Sequence, residues 1–166
     1  MINHYLSAFG YLKLNHSIGL SNDHASVKDK DEFDEHLERA IKSFQKNFHL
    51  NVTGRLDSST LDNMIDSTDI IGVGMPGSVL AHAAPPTIGK MHFDADENWS
   101  IDNPNGDQHD LVSVATHEIG HILGLQHSTN VDAIMYPFMN RGMAKRKLSD
   151  DDIDGIAALY APARKT

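Results

Sequence analysis

One run in this 166-residue chain concentrates residues able to do chemistry. It reads His117-Glu118-Ile119-Gly120-His121-Ile122-Leu123-Gly124-Leu125-Gln126-His127, or H-E-x-x-H-x-x-G-x-x-H. Histidines at i and i+4 share one face of a helix, so His117 and His121 can point at one ion. Gly124 tolerates the left-handed geometry of a helix stop and lets the chain return His127 to that ion. Three imidazoles leave a fourth position open, as in a catalytic zinc site and unlike a closed structural one. Glu118, beside His117, is placed to take a proton from water and pass it to a leaving amine. The chemistry implied is zinc-assisted hydrolysis of a peptide bond. The plain alternative is a surface helix rich in histidine. At the chain's own composition, chance produces the five fixed letters on the order of 10⁻⁴ times per chain.

These side chains need a helix to carry them. Leu111, Val112, Val114, Ala115, Ile119, Ile122 and Leu123 recur at helical spacing. Asp110 stands where an N-cap or first-turn acid is favourable. Farther on, Ala133-Ile134-Met135-Tyr136-Pro137 places a methionine among apolar residues, which elsewhere would be core filler. Leu148-Ser149-Asp150-Asp151-Asp152-Ile153 predicts a second helix, with Ser149 as N-cap and acids in its first turn. Ile153, Ile156, Ala157, Leu159 and Tyr160 supply its apolar face.

The zinc run, the Met135 segment and the Asp-rich helix start together resemble the matrix metalloproteinases, or matrixins, of the metzincin peptidases. The resemblance implies that Met135 forms a Met-turn beneath a catalytic zinc held by His117, His121 and His127, with Glu118 as general base. Leu80-Ala81-His82-Ala83 resembles the family's edge strand beside the substrate cleft, where an extended peptide adds a strand. Together with Lys90-Met91-His92-Phe93-Asp94-Ala95-Asp96-Glu97, it matches segments that bind further metals. His82 and His92 correspond to two of the four ligands of a structural zinc; Asp94 and Glu97 correspond to calcium ligands. The upstream loop with the other two zinc ligands has no match here. Strands are expected near residues 79–83 and 89–93.

Residues 3–66 differ in character. Residues 5–12 read as a short helix, and residues 21–32 as a polar loop. Phe33, Leu37, Ala40, Ile41, Phe44 and Phe48 predict an amphipathic helix. Residues 52–57 then form a turn, and Asp57 or Ser58 caps a helix through Leu61, Met64 and Ile65. The segments from Ala40 to Phe48 and from Thr53 to Leu61 resemble the peptidoglycan-binding-like propeptide of matrixins, and Tyr5 to Leu12 most resembles the plant members. The expected fold class is α+β: a helical bundle over residues 1–67, a junction over 68–77, and a shortened catalytic domain over 78–162. The strands and first large helix of the family's catalytic domain have no match between residues 67 and 77. Either an internal block is missing from the chain or the bundle repacks against the zinc helix.

The chain has no cysteine, so neither a disulfide nor the family's Pro-Arg-Cys-Gly thiol latch exists in it. Its net charge of −9 and lack of a basic stripe disfavour nucleic acid as partner. No apolar run approaches the length of a membrane span. The first residues lack the pattern of a signal peptide, whereas the resemblance implies an extracellular place of work. The cofactors implied are Zn2+ and Ca2+, and the partner is a polypeptide substrate.

Overall fold

A computed structural model describes residues 27–65 and 79–162. The short helix expected over residues 5–12 and the junction over 68–77 lie outside the described residues, apart from which the architecture is α+β. Two compact units divide the chain, one built from residues 1–63 with 156–166 and the other from residues 64–155.

In the first unit, α1 spans Val27–Asn47 and α2 spans Ser58–Met64, so residues 27–32, expected as part of a polar loop, are helical instead. The apolar stripe read from the sequence lies along α1: Ala40, Ile41 and Phe44 are buried, and the Phe44 and Phe48 rings meet at 4.4 Å. Glu35–Arg39 and Glu38–Lys42 pair at i, i+4 on its outer side. The turn between the helices is organised by Gln45, a fully buried polar residue. Its Nε2 lies 2.9 Å from Thr53 Oγ1, Arg55 O and Thr60 Oγ1, and its Oε1 accepts from Gly54 N at 2.9 Å. An amide so fully satisfied in the interior specifies the turn's shape, since any other turn would strand it.

The second unit positions the chemistry. Strand β1 (Ala81–Ala83) runs antiparallel to β2 (Met91–Phe93), pairing Ala81 with Phe93, His82 with His92 and Ala83 with Met91. Pro85 turns the chain between them, its carbonyl accepting from Ile88 N and Gly89 N. On the far side of β2, Ile65 forms a single parallel bridge with Met91. That single bridge brings the residue following α2 to the sheet. A second small pair, β3 (Trp99–Ser100) parallel to β4 (His109–Asp110), leads directly into α3, Leu111–Ile122. Pairs of two residues carry no readable alternation, which is why the sequence predicts only the first two strands.

Helix α3 packs on β1 and β2. Leu111, Val114, Ala115, Ile119 and Ile122 are all buried. Each large aliphatic side chain so buried contributes about 1.5–3 kcal/mol of transfer free energy. After α3 the chain runs irregularly through residues 123–149 before α4, Asp150–Tyr160.

Asp57 caps α2. Its carboxylate accepts from Thr60 N at 2.9 Å, Thr60 Oγ1 at 2.7 Å and Thr53 Oγ1 at 2.8 Å. Burial alone would raise its pKa, but the bonds from Thr60 and Thr53 outweigh burial and hold it below the usual carboxylate value. A group depressed on folding stabilises above its unfolded pKa, near 3.9, and loses that contribution as pH falls through the folded value. Asp57→Ala should therefore cost about 1 kcal/mol in urea melts at neutral pH. The gap from the parent should narrow as pH falls through the lowered folded value. A gap that stays constant throughout acid titration would contradict the ionised cap.

Candidate metal centre

The helix that carries the candidate ligands is anchored at its start. Asp110 is the N-cap of α3, fully buried, with its carboxylate accepting from Ser113 N at 3.0 Å. Arg146 clamps the same carboxylate through Nε at 2.9 Å and through Nη2, while Nη2 also reaches the carbonyl oxygens of Ile101 and Asp102. A buried acid paired in this bidentate way fixes the helix axis as well as its first turn.

At the other end, Gly124 has φ 102, and Leu125 N donates to Gly120 O at 2.9 Å. The left-handed residue closes the helix and reverses the chain. One consequence is that Leu125 O meets His121 Nδ1 at 2.8 Å. A second carbonyl, Ile134 O, meets His117 Nδ1 at 2.8 Å. Carbonyl oxygens only accept, so in both rings Nδ1 carries the proton and a neutral imidazole leaves Nε2 as a bare lone pair. The two Nε2 atoms stand 3.1 Å apart. With no hydrogen on either, that separation is not a hydrogen bond. Two nitrogens about 2.05 Å from a tetrahedral zinc are about 3.3 Å apart, so the spacing suits a shared ion. His127 completes the group: its ring centroid is 5.3 Å from that of His117 and 4.8 Å from that of His121. Ligand atoms of all three lie within 4.8 Å of one another. Among the described residues this is the only group of three or more His, Asp or Glu side chains that could hold a metal ion.

Burial holds His117 down to about 4, helped by the neighbouring His121 and His127 and opposed by the Ile134 hydrogen bond. His127 is lowered too, by burial and by His121. The His117 and His127 rings are thus neutral near pH 7, the form that binds metal. Glu118 is buried beside them, and burial alone pushes its carboxyl up to about 7. Its Oε2 is buried with no hydrogen-bond partner among the described residues. A carboxylate left unsatisfied next to the imidazoles is an acceptor waiting for a proton.

Met135, which the family resemblance assigns to a Met-turn, is almost wholly buried. Its sulfur presses on the backbone of Gly120, in the middle of α3, so closely that a Cβ there would collide with Sδ. Only glycine permits that approach. The turn bearing Met135 is gripped by Asp152, a buried residue in the first turn of α4. Its carboxylate accepts from Ile134 N at 2.9 Å and Met135 N at 3.0 Å. It also accepts from Ser149 N and Ser149 Oγ, each at 2.8 Å. Lys145 Nζ ties the same loop through Val131 O at 2.6 Å and Ala133 O at 3.0 Å.

Asp152, Lys145 and Arg146 are supports that sequence reasoning missed. For Asp152 a signal existed: Ser149-x-x-Asp152 has the form of a capping box. The outward use of the same carboxylate on Ile134 and Met135, 18 and 17 residues away, had none. Of the other residues singled out in the sequence, His82 and His92 do come together, stacked across β1 and β2 with centroids 4.9 Å apart. They bring half the donors of a closed zinc site. Asp94 and Glu97 join no larger group of His, Asp or Glu able to hold an ion among the described residues. Glu97 instead faces Arg141 at 3.3 Å and His109 at 3.6 Å.

Three histidines on and just beyond one helix, with a glutamate between them and a buried methionine pressed on that helix, form the arrangement of a metzincin. The chain belongs to the matrixin family, whose model matches residues 13–161. It is 40% identical to stromelysin-1 of Equus caballus over 143 residues, which cover 80% of this chain and 29% of that protein. It is 51% identical to metalloendoproteinase 1 of Glycine max over 90 residues, covering 51% of this chain and 30% of the relative. Metalloendoproteinase 5-MMP of Arabidopsis thaliana is 49% identical over 89 residues, 49% of this chain and 25% of that protein. The chain therefore spans less than a third of the length of these relatives.

Asp152→Asn would keep the side chain's shape but turn an acceptor face toward donors as a second donor. The expected cost is about 2–3 kcal/mol in urea melts. Metal affinity in competitive titrations should fall about 10–100-fold, because the Ile134 carbonyl that orients His117 loses its anchor. Unchanged metal affinity would show that Asp152 does not position His117.

Proposed function

We propose that this chain is a zinc-dependent metalloendopeptidase, with His117, His121 and His127 as zinc ligands and Glu118 as general base. The observation that carries the reading is the convergence of two bare Nε2 atoms, each set by an Nδ1–carbonyl bond, with His127 and beside an unsatisfied carboxylate. Bound zinc supplies Lewis acidity to water and to the scissile carbonyl. Glu118 accepts a proton from the attacking water and delivers it to the leaving amine, so the new C–O bond and the broken C–N bond balance. The Nδ1 protons of His117 and His121 stay committed to Ile134 O and Leu125 O.

The substrate in this reading is an extended polypeptide. Among the described residues β1 pairs only with β2, so its other edge offers backbone groups to an incoming strand. The acid balance of the chain, −9, fits a peptide partner and not nucleic acid. No described helix is long and apolar enough to cross a membrane. In this reading the substrates are extracellular proteins, residues 1–67 form a peptidoglycan-binding-like propeptide, and residues 78–162 form the catalytic part. The paired helices α1 and α2 and the Gln45-centred turn support that division.

One observation favours a second reading, a zinc-binding module without turnover. The sheet beside α3 consists, among the described residues, of β1, β2 and the Ile65 bridge. Such a small sheet leaves the helix with few elements to hold it during catalysis.

Zinc-loaded full-length chain should cleave an unstructured peptide substrate, and Glu118→Gln should lose about 10²–10⁴-fold in kcat while retaining zinc by metal analysis. Equal turnover by parent and variant would remove Glu118 from the chemistry. Zinc uptake by the parent without any cleavage would select the second reading.

A further inference from the structure

Outside the metal centre the most unusual group in the second unit is the surround of Glu97. Its side chain is only 1% exposed. It faces Arg141 Nη2 at 3.3 Å and His109 Nε2 at 3.6 Å, and His109 is itself buried. Asp94, three residues earlier, is also buried, with Oδ1 accepting from Asp96 N at 2.9 Å. Its Oδ2 has no hydrogen-bond partner among the described residues.

The family resemblance assigns this pair of acids to calcium. Calcium needs six to eight oxygen ligands at 2.3–2.6 Å. The surroundings of Glu97 do not fit that need. The Arg141 guanidinium and the His109 imidazole facing its carboxylate bring a positive charge and ring nitrogens, and neither offers an oxygen. The bare Oδ2 of Asp94 adds a single donor. A divalent ion on Glu97 would have to displace Arg141 or sit against its charge.

Arg141 is not there by accident of a loose side chain. The next residue, Gly142, has φ 71 and donates its N–H to Gln108 O at 2.8 Å. A Cβ at Gly142 would lie 3.2 Å from Asn105 O and Gly106 Cα. The backbone that delivers the guanidinium is therefore pinned against the loop that leads into β4.

We propose that Arg141 is the standing counter-ion of Glu97, so that this acid site is closed by a guanidinium from its own chain and does not take calcium. The segment after the Met135 turn thus does for the β2–β3 loop what a bound cation would otherwise do. It neutralises a buried carboxylate and ties two stretches of chain 44 residues apart.

Thermal melts of the zinc-loaded full-length chain test this, run with millimolar calcium chloride against millimolar magnesium chloride and with no chelator. The parent should melt at the same temperature in both. Arg141→Gln should melt about 4–8 °C lower, and in a Glu97→Gln background the same change should have much less effect, as coupled partners require. If Arg141→Gln fails to fold, Arg141→Lys, which keeps the charge, should fold and remain indifferent to calcium. A calcium-specific rise in the parent's melting temperature would overturn the proposal. So would an Arg141→Gln variant that melts like the parent, strict additivity with Glu97→Gln, or a calcium-specific response in Arg141→Lys.

Discussion

The peptide plane between Ile134 and Met135 is the point on which the candidate metal centre depends. Its N–H, from Met135, is held by Asp152, and its C=O, from Ile134, is held by His117 Nδ1. One peptide plane thus links the start of the last helix to the His117 ring. A carbonyl that is itself fixed sets both the tautomer and the rotation of the imidazole. The adjacent Met135 is drawn into place by the same carboxylate and lands on Gly120. The His117 ring, the buried Met135 and the helix that carries them are therefore one mechanical assembly. Leu125 O performs the matching task for His121, and it can do so because Gly124 turns the chain in a left-handed conformation.

A small sheet makes such ties necessary. With β1 and β2 as the surface on which α3 packs, burial of apolar side chains holds one face of the helix, and polar clamps hold its ends. The segment 141–146 supplies most of them. Arg146 closes on the buried N-cap Asp110, Lys145 binds carbonyls of the loop before Met135, and Lys145 N donates to Ser113 Oγ. Buried acids paired with arginine are costly to separate, because either partner left alone is an uncompensated charge or an unsatisfied polar group. Several of the polar interactions around the candidate metal centre converge on one short basic stretch.

The sequence by itself determined the candidate ligand set and the local elements. The proposed roles of His117, Glu118, His121 and His127 were legible in their spacing, because a helix repeats every 3.6 residues and a glycine stop is a local event. The Asp110 and Asp57 caps, the stripe along α1 and the strands around His82 and His92 were legible for the same reason: each is decided within a few residues. Tertiary structure alone decided which distant groups satisfy the buried charges. Asp152 reaches across 18 residues to Ile134, Arg146 across 36 to Asp110, and Arg141 across 44 to Glu97. An ion pair carries no period and no spacing rule, and its partners are chosen by whichever loops the fold brings together. The residues that do the proposed chemistry could be read along the chain, while those that hold them in place become visible only once the chain has closed on itself.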